Sequence, residues 1–206
     1  MSAVRSMRHH PLQLFGKRVT LRPLKEGDFD QWHEVRTRCS AWLLPWEPRQ
    51  RGAPAPLEDR PNFSHRCDIR ERERHLGIGY GFGVFIGERF GGEVTLSSIQ
   101  RGPYQCGSIG YWIDQALAGR SLVPEAVVVT LRFAFEAISL HRIEISIIPR
   151  NKASRRVVDK LGIRQEGVAE RFLEIDGVWE DHARYAITSE EWSNRKLELG
   201  RMWLPE

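Results

Sequence analysis

Apolar and polar residues along the chain follow two periods, and the two periods predict strands and helices in a mixed order. Alternation at every second position predicts strands over 18–24, 81–87, 91–102, 106–114 and 141–149. Two more strands flank Asp176-Gly177, a dipeptide typical of a two-residue hairpin turn. Apolar residues at helical spacing predict helices over 25–39 and 151–162. Opposite charges at pairing distances indicate a charged helix over 62–76, and a long apolar run indicates a buried helix over about 124–139. A terminal helix is expected from Ser189 onwards. This order favours a mixed α/β domain.

Single residues are expected to fix the ends of these helices. Asp28 is expected to cap the first helix and Ser189 the last, while Asn151 begins and Gly162 ends the helix over 151–162. Glu125 suits the positive end of the long helix, which has Pro124 in its first turn. The expected buried stripes are Phe29, Trp32 and Val35 on the first helix, and Ala153, Val157, Val158 and Leu161 on the helix over 151–162.

The length of the chain limits its domain organisation. Its 206 residues suffice for one sizeable domain with a proper core. No repeat is found, and no linker divides the second half. We therefore predict a single domain over 1–206, with an N-terminal extension over 1–16 and a proline- and arginine-rich loop over 44–61.

Composition and charge exclude several classes of protein. The hydrophobic fraction of 41% and the charged fraction of 28% are ordinary for a globular domain, and no apolar run is long enough to span a membrane. The formal net charge of +4 is mild and the basic residues lack interleaved aromatics, so nucleic-acid binding ranks last.

Cysteine usage and the start of the chain predict a cytoplasmic location. The cysteines at 39, 67 and 106 are widely spaced without a CxxC pair, which argues against a zinc site or a disulfide scaffold. The start, "MSAVRSMRHH", has no apolar segment after its basic residues, so we predict no secretory signal.

The stretch "LAGRSLVPEA" at 117–126 lies where the strand over 106–114 leads into the long helix. The start of a helix binds anions when its free N–H groups and its positive dipole end face the ligand. Such turns are usually rich in glycine, and this one has only Gly119. From the pattern alone, the stretch is either an anion site or a loop that joins two elements.

Three blocks of the sequence carry a family pattern. They are "SIGYWID" with "AGR" and "EA" within 108–126, "LHRIEISIIPRNKASRRVVDKLGIRQEG" at 140–167 and "LEIDGVWEDHARYAIT" at 173–188. Together they resemble the GCN5-related N-acetyltransferases (GNAT), and in particular the RimJ/RimL-like branch, which acetylates the N-termini of ribosomal proteins. With "VTLRPL" near the start, the resemblance covers most of the chain and is weakest over 44–76. It implies a GNAT fold, a central twisted, mostly antiparallel sheet with helices on both faces. It also implies acetyl-CoA as cosubstrate, and no metal.

In that family, backbone amides of the segment that matches 118–123 bind the pyrophosphate of acetyl-CoA through a Gln/Arg-x-x-Gly-x-Gly/Ala signature. Here Ala118, Ser121 and Val123 replace the three signature residues. We expect a retained but weakened site, because main-chain contacts survive these changes while the Cβ atoms of Ser121 and Val123 crowd the ligand. The resemblance assigns cofactor binding to Ile113, Ala118, Gly119, Arg120, Ser121, Leu122, Val123, Asn151, Ser154 and Arg156. Arg155, Arg156 and Lys160 are candidates for the 3′-phosphate.

Acetyl transfer also needs an acid for the leaving thiolate, donors for the oxyanion and a base for the amine. Ser154 matches the serine of the family's Asn-x-x-Ser and is the first choice as acid, with Tyr185 second. A tyrosine that some relatives carry on this helix is Val158 here. A splayed or bulged strand at 111–114 is expected to provide the oxyanion donors. The candidate bases are Glu93, Glu174 and Glu170, although surface charge is the more common role of a glutamate taken singly.

The acceptor that the resemblance implies is the N-terminal amine of a protein, by default a ribosomal protein. Trp42, Trp46 and the helix over 62–76 lie in the region that members of the family vary to select acceptors. The alternatives are a small-molecule amine, such as an antibiotic or polyamine, and a catalytically weak acyl-CoA-binding module. No membrane partner is expected, and both a monomer and a homodimer stay open.

Overall fold

The computed structural model describes residues 12–48 and 58–205, and regular elements follow one another through both ranges. The strands are β1 (Leu14–Phe15), β2 (Thr20–Arg22), β3 (Tyr80–Ile86), β4 (Arg89–Gln100), β5 (Cys106–Ile113), β6 (Arg142–Ile147), β7 (Arg164–Ile175) and β8 (Val178–Thr188). The α-helices are α1 (Phe29–Arg38), α2 (Ser40–Leu43), α3 (Arg60–Leu76), α4 (Leu122–Arg132), α5 (Lys152–Leu161) and α6 (Ser189–Trp203). A π-helical turn, Phe133–Ala137, continues α4, and short 3₁₀ turns cover Glu26–Asp28, Leu44–Trp46 and Gln115–Leu117.

The strands form one sheet in the order β1-β2-β3-β4-β5-β6-β8-β7. Neighbouring strands are antiparallel except for β5 and β6, which are parallel. A parallel pair needs a crossover connection, and α4 supplies it. The predicted mixed α/β class with a mostly antiparallel sheet is therefore confirmed.

The parallel pairing between β5 and β6 is short. It joins Cys106–Ser108 to Arg142–Glu144 and then stops. Over Ile109–Ile113, β5 stays paired with β4 but has left β6. The predicted splay at 111–114 is confirmed, whereas the bulge lies on β4, between Ser97 and Gln100.

Helices cover both faces of the sheet, as expected. On one face the core contains β-strand residues such as Leu96 and Ile143 packed against α4, which is buried on nearly every side. On the other face a smaller cluster joins α1 and α3 to the sheet through Trp32, Phe63 and Phe90. Burial of these apolar side chains contributes about 25 cal/mol for each Å² removed from water.

Two predicted helix ends and one predicted hairpin turn are confirmed with the expected chemistry. The Asn151 carboxamide oxygen accepts from the Ser154 N–H at 3.0 Å and caps α5. Gly162 ends α5 with φ of 60°, in the left-handed region that glycine adopts without strain. Asp176 and Gly177 have φ of 50° and 83°, the pair of positive values that a type I′ hairpin turn requires.

One predicted cap is right in position only, and another is wrong. Asp28 lies at the N-cap position of α1 but makes no side-chain hydrogen bond to that helix. Its buried carboxylate instead accepts from both ends of the Arg22 guanidinium at 2.7 Å and from the Lys25 N–H at 2.9 Å. The last helix is capped by Thr188 rather than Ser189. Thr188 and Glu191 form a capping box, in which each side chain accepts from the backbone N–H of the other.

Two side chains lie in unexpected surroundings. Ala153 was placed in the buried stripe of α5 and is exposed, because it lies in the first turn, before the helix packs on the sheet. Glu125 was expected to serve the helix dipole in the first turn of α4, and it is almost completely buried. Its carboxylate is bonded to the backbone of the N-terminal segment.

The ends of the predicted domain lie partly outside the described residues. Strand β1 occupies 14–15, within the predicted N-terminal extension, and pairs with β2. In the predicted loop over 44–61, Leu44–Trp46 is a 3₁₀ turn and α3 begins at Arg60, while 49–57 lie outside the described residues. The single-domain organisation stays a prediction. Within the described ranges, no helix is both long and apolar enough to cross a bilayer.

Close contact between β4 and β5 leads to a first prediction. A Cβ atom on Gly92 would lie 2.3 Å from the Trp112 carbonyl oxygen, whereas one on Gly110 would meet nothing within 4 Å. We expect Gly92→Ala to lower the free energy of unfolding by about 2–3 kcal/mol, because backbone must move. Gly110→Ala, the matched control on β5, should change it by less than about 1 kcal/mol in urea titrations. Equal effects would contradict this register.

Candidate active site

The separation of β5 from β6 creates an opening at one end of the sheet, and four segments meet there. Strand β5 ends at Ile113, and a turn over 114–121 leads to α4. The first turn of α5 follows β6, and the tip of the β7–β8 hairpin extends past the end of β6, because Ile147 pairs with Ala183. Most residues predicted to form the site lie at this end.

Asp114 anchors the beginning of the turn. Its side chain is fully buried and accepts from two nitrogens of the Arg38 guanidinium at 2.9 and 3.0 Å, and from the Ala116 N–H at 2.9 Å. The hydrogen bonds from Arg38 lower the pKa of this carboxyl to about 2. The turn is therefore fixed to α1 by a buried charge pair.

The residues that replace the family signature do not all face the opening. Ala118 and Val123 pack against the main core. Ser121 has φ of 61° and ψ of 23°, the left-handed conformation that favours glycine. Gly119 has φ of 78° and open space around its Cα. The turn thus has the backbone form of a glycine-containing turn, with serine in a strained position.

The N-terminal segment holds the other side of the turn. The Arg18 guanidinium donates to the carbonyl oxygens of Arg120 and Ser121 at 3.0 and 3.2 Å. It also pairs with the Glu125 carboxylate at 2.8 Å. The Val19 N–H donates to the same carboxylate at 3.0 Å. Because N–H groups in the first turn of a helix have no intrahelical partner, those at the start of α4 are available to a ligand.

Two cations of α5 lie on the face next to the turn. The Lys160 ammonium donates to the Ser121 hydroxyl oxygen at 2.6 Å. Arg156 is exposed one helical turn earlier, on the same face of α5. Arg155, by contrast, donates to the Tyr185 hydroxyl at 3.1 Å and to the Pro149 carbonyl oxygen at 3.4 Å. Arg156 and Lys160 therefore remain better candidates for a phosphate contact than Arg155.

Ser154 lies at the start of α5 and is held by three hydrogen bonds. Its N–H donates to the Asn151 cap, its hydroxyl donates to the Tyr111 hydroxyl at 3.1 Å, and its carbonyl accepts from Tyr111 at 3.1 Å. Burial raises the pKa of the Tyr111 phenol. Tyr111 therefore remains protonated and bridges the splayed part of β5 to α5.

The predicted base Glu93 is buried and paired. Its carboxylate accepts from the Trp32 indole N–H at 2.9 Å and from both ends of the Arg66 guanidinium. These contacts tie α1 and α3 to β4. To accept a proton, Glu93 would have to give up part of this network.

The predicted base Glu174 lies near the tip of the hairpin, in register with Trp179, and is half-buried. Glu170 was expected to point the same way, but a bulge between Ala169 and Leu173 interrupts the alternation of side chains there. Only Glu174 keeps a regular position on β7.

The segment predicted to select the acceptor reaches the same end of the sheet. Trp46 stacks under the Arg150 guanidinium at 4.9 Å, and Arg150 pairs with Glu180 on β8. Pro48 forms an isolated bridge with Ile175. Trp42 packs at the edge of the cluster under α1 and α3. The segment around 46–48 therefore lies against the hairpin.

Comparisons with known proteins agree with this architecture. The model of the acetyltransferase (GNAT) domain matches residues 18–164. The chain belongs to the GNAT acetyltransferase family.

Individual relatives include members of the predicted branch. The chain is 30% identical over 185 residues to the [ribosomal protein uS5]-alanine N-acetyltransferase of Escherichia coli, covering 88% of this chain and 93% of that protein. It is 44% identical over 110 residues to the probable N-acetyltransferase YjcK of Bacillus subtilis, covering 52% of this chain and 61% of that relative. The structure of Mycobacterium smegmatis RimJ in complex with CoA-disulfide superposes with a TM-score of 0.85 at 30% identity, covering 94% of this chain and 97% of that one. The predicted N-acetyltransferase of the RimJ/RimL-like branch is confirmed.

Sequence reasoning missed two residues that the structure places at the candidate site. Tyr111 shares a strand face with Ile109 and Ile113, so alternation could have placed it toward α4 and α5. Arg18 had no such signal, because its partner Glu125 is 107 positions away.

Metal ligands were not expected. Among the residues that the structure describes, no group of three or more His, Cys, Asp and Glu could hold a metal ion.

The conformation of Ser121 leads to a second prediction. Ser121→Gly and Ser121→Ala both remove the hydroxyl, but only glycine relieves the left-handed strain. We expect the glycine variant to be more stable than the alanine variant by about 1 kcal/mol in urea unfolding. Ser193, exposed within α6, is the control, where glycine should be less stable than alanine by about 1 kcal/mol. The same order at both positions would contradict the assigned turn.

The Asp114–Arg38 pair leads to a third prediction. A carboxyl whose folded pKa of about 2 lies below its ordinary value stabilises the fold at higher pH, and that stability is lost as pH falls from about 4 to about 2. Asp114→Asn should lower the free energy of unfolding at pH 7 by about 2 kcal/mol and flatten its fall over that pH range. Chemical unfolding at several pH values tests this, with the exposed Asp30→Asn as control. An unchanged slope in the Asp114 variant would count against the buried pair.

Proposed function

We propose that this N-acetyltransferase transfers the acetyl group of acetyl-CoA directly to the N-terminal α-amine of a protein, with a ribosomal protein as the expected acceptor. The observation that carries the proposal is the 30% identity to a ribosomal-protein alanine N-acetyltransferase across 88% of the chain. The complex of a similar structure with CoA-disulfide supports the choice of cosubstrate.

The geometry of the turn supports a cofactor site that still works. The side chains of Ala118 and Val123 are partly buried and pack against the core. The N–H groups at the start of α4 and the dipole of the helix would bind the pyrophosphate. Lys160 and Arg156 would add positive charge beside it. The core packing of Val123 argues against the expected crowding at that position and makes Ser121 the more important departure.

The reaction would need no covalent enzyme intermediate. The lone pair of the neutral amine attacks the thioester carbonyl carbon, the C–S bond breaks, and the amide forms as the nitrogen loses a proton to a base. Backbone N–H groups along the splayed part of β5 would stabilise the oxyanion. The released thiolate would take a proton through the Ser154 hydroxyl, which now donates to Tyr111 and would turn toward the sulfur. Ser154 would recover a proton from water as it gives up its own, so the serine is neutral again at the end of the cycle.

For the base, the surroundings favour Glu174 over Glu93. Glu93 is enclosed by the Arg66 guanidinium and the Trp32 indole. Glu174 is half-buried at the end of the sheet where the opening lies. An α-amine with a pKa near ~8 needs less help from a base than a lysine near ~10.4, which favours an N-terminal acceptor.

Two other functions give different results in the same experiments. A small-molecule acetyltransferase would acetylate free amines such as polyamines and ignore peptides. An acyl-CoA-binding module would bind acetyl-CoA without turnover. The altered signature motivates the latter, whereas the core packing of Ala118 and Val123 argues against a decayed site.

Calorimetric titration with acetyl-CoA tests the cofactor site directly. We expect the native chain to bind in the micromolar range, and Ser121→Gly/Val123→Ala to bind no more than about tenfold more tightly, since the backbone supplies the contacts. Absence of binding in the native chain, with binding restored in the double variant, would show a decayed site and refute the proposed activity.

Turnover with N-terminal peptides of ribosomal proteins tests the acceptor and the acid. Ser154→Ala is expected to lower kcat by about 100-fold, because one positioned acid is lost, while the dissociation constant for acetyl-CoA changes less than about twofold. Ser193→Ala, an exposed serine in α6, should leave both values unchanged. A native kcat in the Ser154 variant would show that this residue is not the acid. Activity on small amines but not on peptides would show that the acceptor is a small molecule rather than a protein N-terminus.

A further inference from the structure

Arg18 connects the N-terminal segment to the phosphate-binding turn, and we propose that it is a positioning residue for cofactor binding. It orients the peptide groups of the turn so that their N–H groups face the pyrophosphate. This inference rests on the proposed function, since it concerns how the same site binds acetyl-CoA.

The contacts of Arg18 divide its guanidinium between two tasks. Nε donates to Glu125 Oε2 at 2.8 Å, which fixes the position of the side chain. The two terminal nitrogens donate to the carbonyl oxygens of Arg120 and Ser121 at 3.0 and 3.2 Å. A single side chain thereby holds two consecutive peptide groups.

Holding these carbonyls sets the direction of the opposite N–H groups. In a trans peptide the C=O and N–H of one unit point in opposite directions. The carbonyls of Arg120 and Ser121 belong to the same peptide units as the N–H groups of Ser121 and Leu122. Because both carbonyls point at Arg18, both N–H groups point away from it. At the start of α4 these N–H groups have no intrahelical acceptor, so they are the donors that a phosphate would use.

The anchor of Arg18 is rigid because Glu125 is enclosed. The Glu125 side chain is 1% exposed, and its Oε1 also accepts from the Val19 N–H at 3.0 Å. A Cβ atom on Gly16 would lie 2.6 Å from that oxygen, so the backbone of the N-terminal segment closes directly over the carboxylate. The Arg18 side chain as a whole remains 47% exposed, at the edge of the turn.

The conformation of Ser121 explains why the contacts of Arg18 with the turn matter in this chain. A left-handed conformation is unfavourable for serine, so the turn needs an external contact to stay in it. Arg18 holds the Ser121 carbonyl, and Lys160 holds the Ser121 hydroxyl. Lysine could not replace Arg18, because an ammonium lacks the planar fork that reaches a carboxylate and two carbonyls together.

Replacement of Arg18 tests the proposal with two acyl donors. Acetyl-CoA carries the pyrophosphate, and acetyl-pantetheine ends before it. We expect Arg18→Lys and Arg18→Met to lower kcat/KM for acetyl-CoA about tenfold, mainly through KM, the effect of one charge-assisted hydrogen bond. For acetyl-pantetheine the ratio should change less than about twofold, because no contact to the turn is lost. Purely structural damage would lower kcat/KM for acetyl-CoA and for acetyl-pantetheine by the same factor.

Arg132→Lys is the matched control. Arg132 also joins α4 to the N-terminal segment, through the Phe15 carbonyl oxygen at 3.3 Å, but it lies away from the turn. Arg132→Lys should leave kcat/KM unchanged with both acetyl-CoA and acetyl-pantetheine. Arg18→Lys decides the question if Arg18→Met does not fold.

The outcomes separate this inference from the proposed function. The positioning role is wrong if the Arg18 variants keep the native kcat/KM for acetyl-CoA, or if their kcat/KM falls equally with both acyl donors. The acetyltransferase proposal stands in either case. If the native chain itself neither binds nor uses acetyl-CoA, the proposed function fails first.

Discussion

Strand β5 leaves β6 after three paired residues, and the arrangement of the site depends on that separation. Parallel strands require a crossover, so the chain must pass through a helix between them. The separation opens a gap at the end of the sheet where this helix begins, and brings its free N–H groups beside unpaired strand backbone. If β5 and β6 were paired along their whole length, there would be no opening, and the backbone N–H groups of β5 would be used within the sheet.

Buried charge pairs hold the two sides of this opening. Asp114 and Glu125 lie before and after the turn, both are removed from water, and each pairs with a partly exposed arginine. A buried carboxylate without such a partner would be costly, so each pair fixes its element where the charge is neutralised. The turn is consequently held from α1 on one side and from the N-terminal segment on the other.

The altered signature shows that side-chain identity and backbone form are separate properties of such a turn. Ala118 and Val123 differ from the family residues but contribute to the core. Ser121 adopts the left-handed conformation that favours glycine, at the expense of strain that its neighbours offset. A turn that binds through its main chain can therefore change its sequence while its donors keep their directions.

The sequence by itself determined the features that depend on neighbours in the chain. The order of strands and helices, the Asn151 cap, the Gly162 stop and the Asp176-Gly177 turn all follow from local periodicity and backbone preference. Asp28 shows the limit, because it lies at the predicted N-cap position while its carboxylate pairs with Arg22 rather than with the helix. Only the tertiary structure decided that Glu125 meets Arg18 and that Tyr111 meets Ser154, over separations of 107 and 43 residues. Contacts between distant segments depend on how the sheet and helices pack, and no periodicity along the chain records that packing.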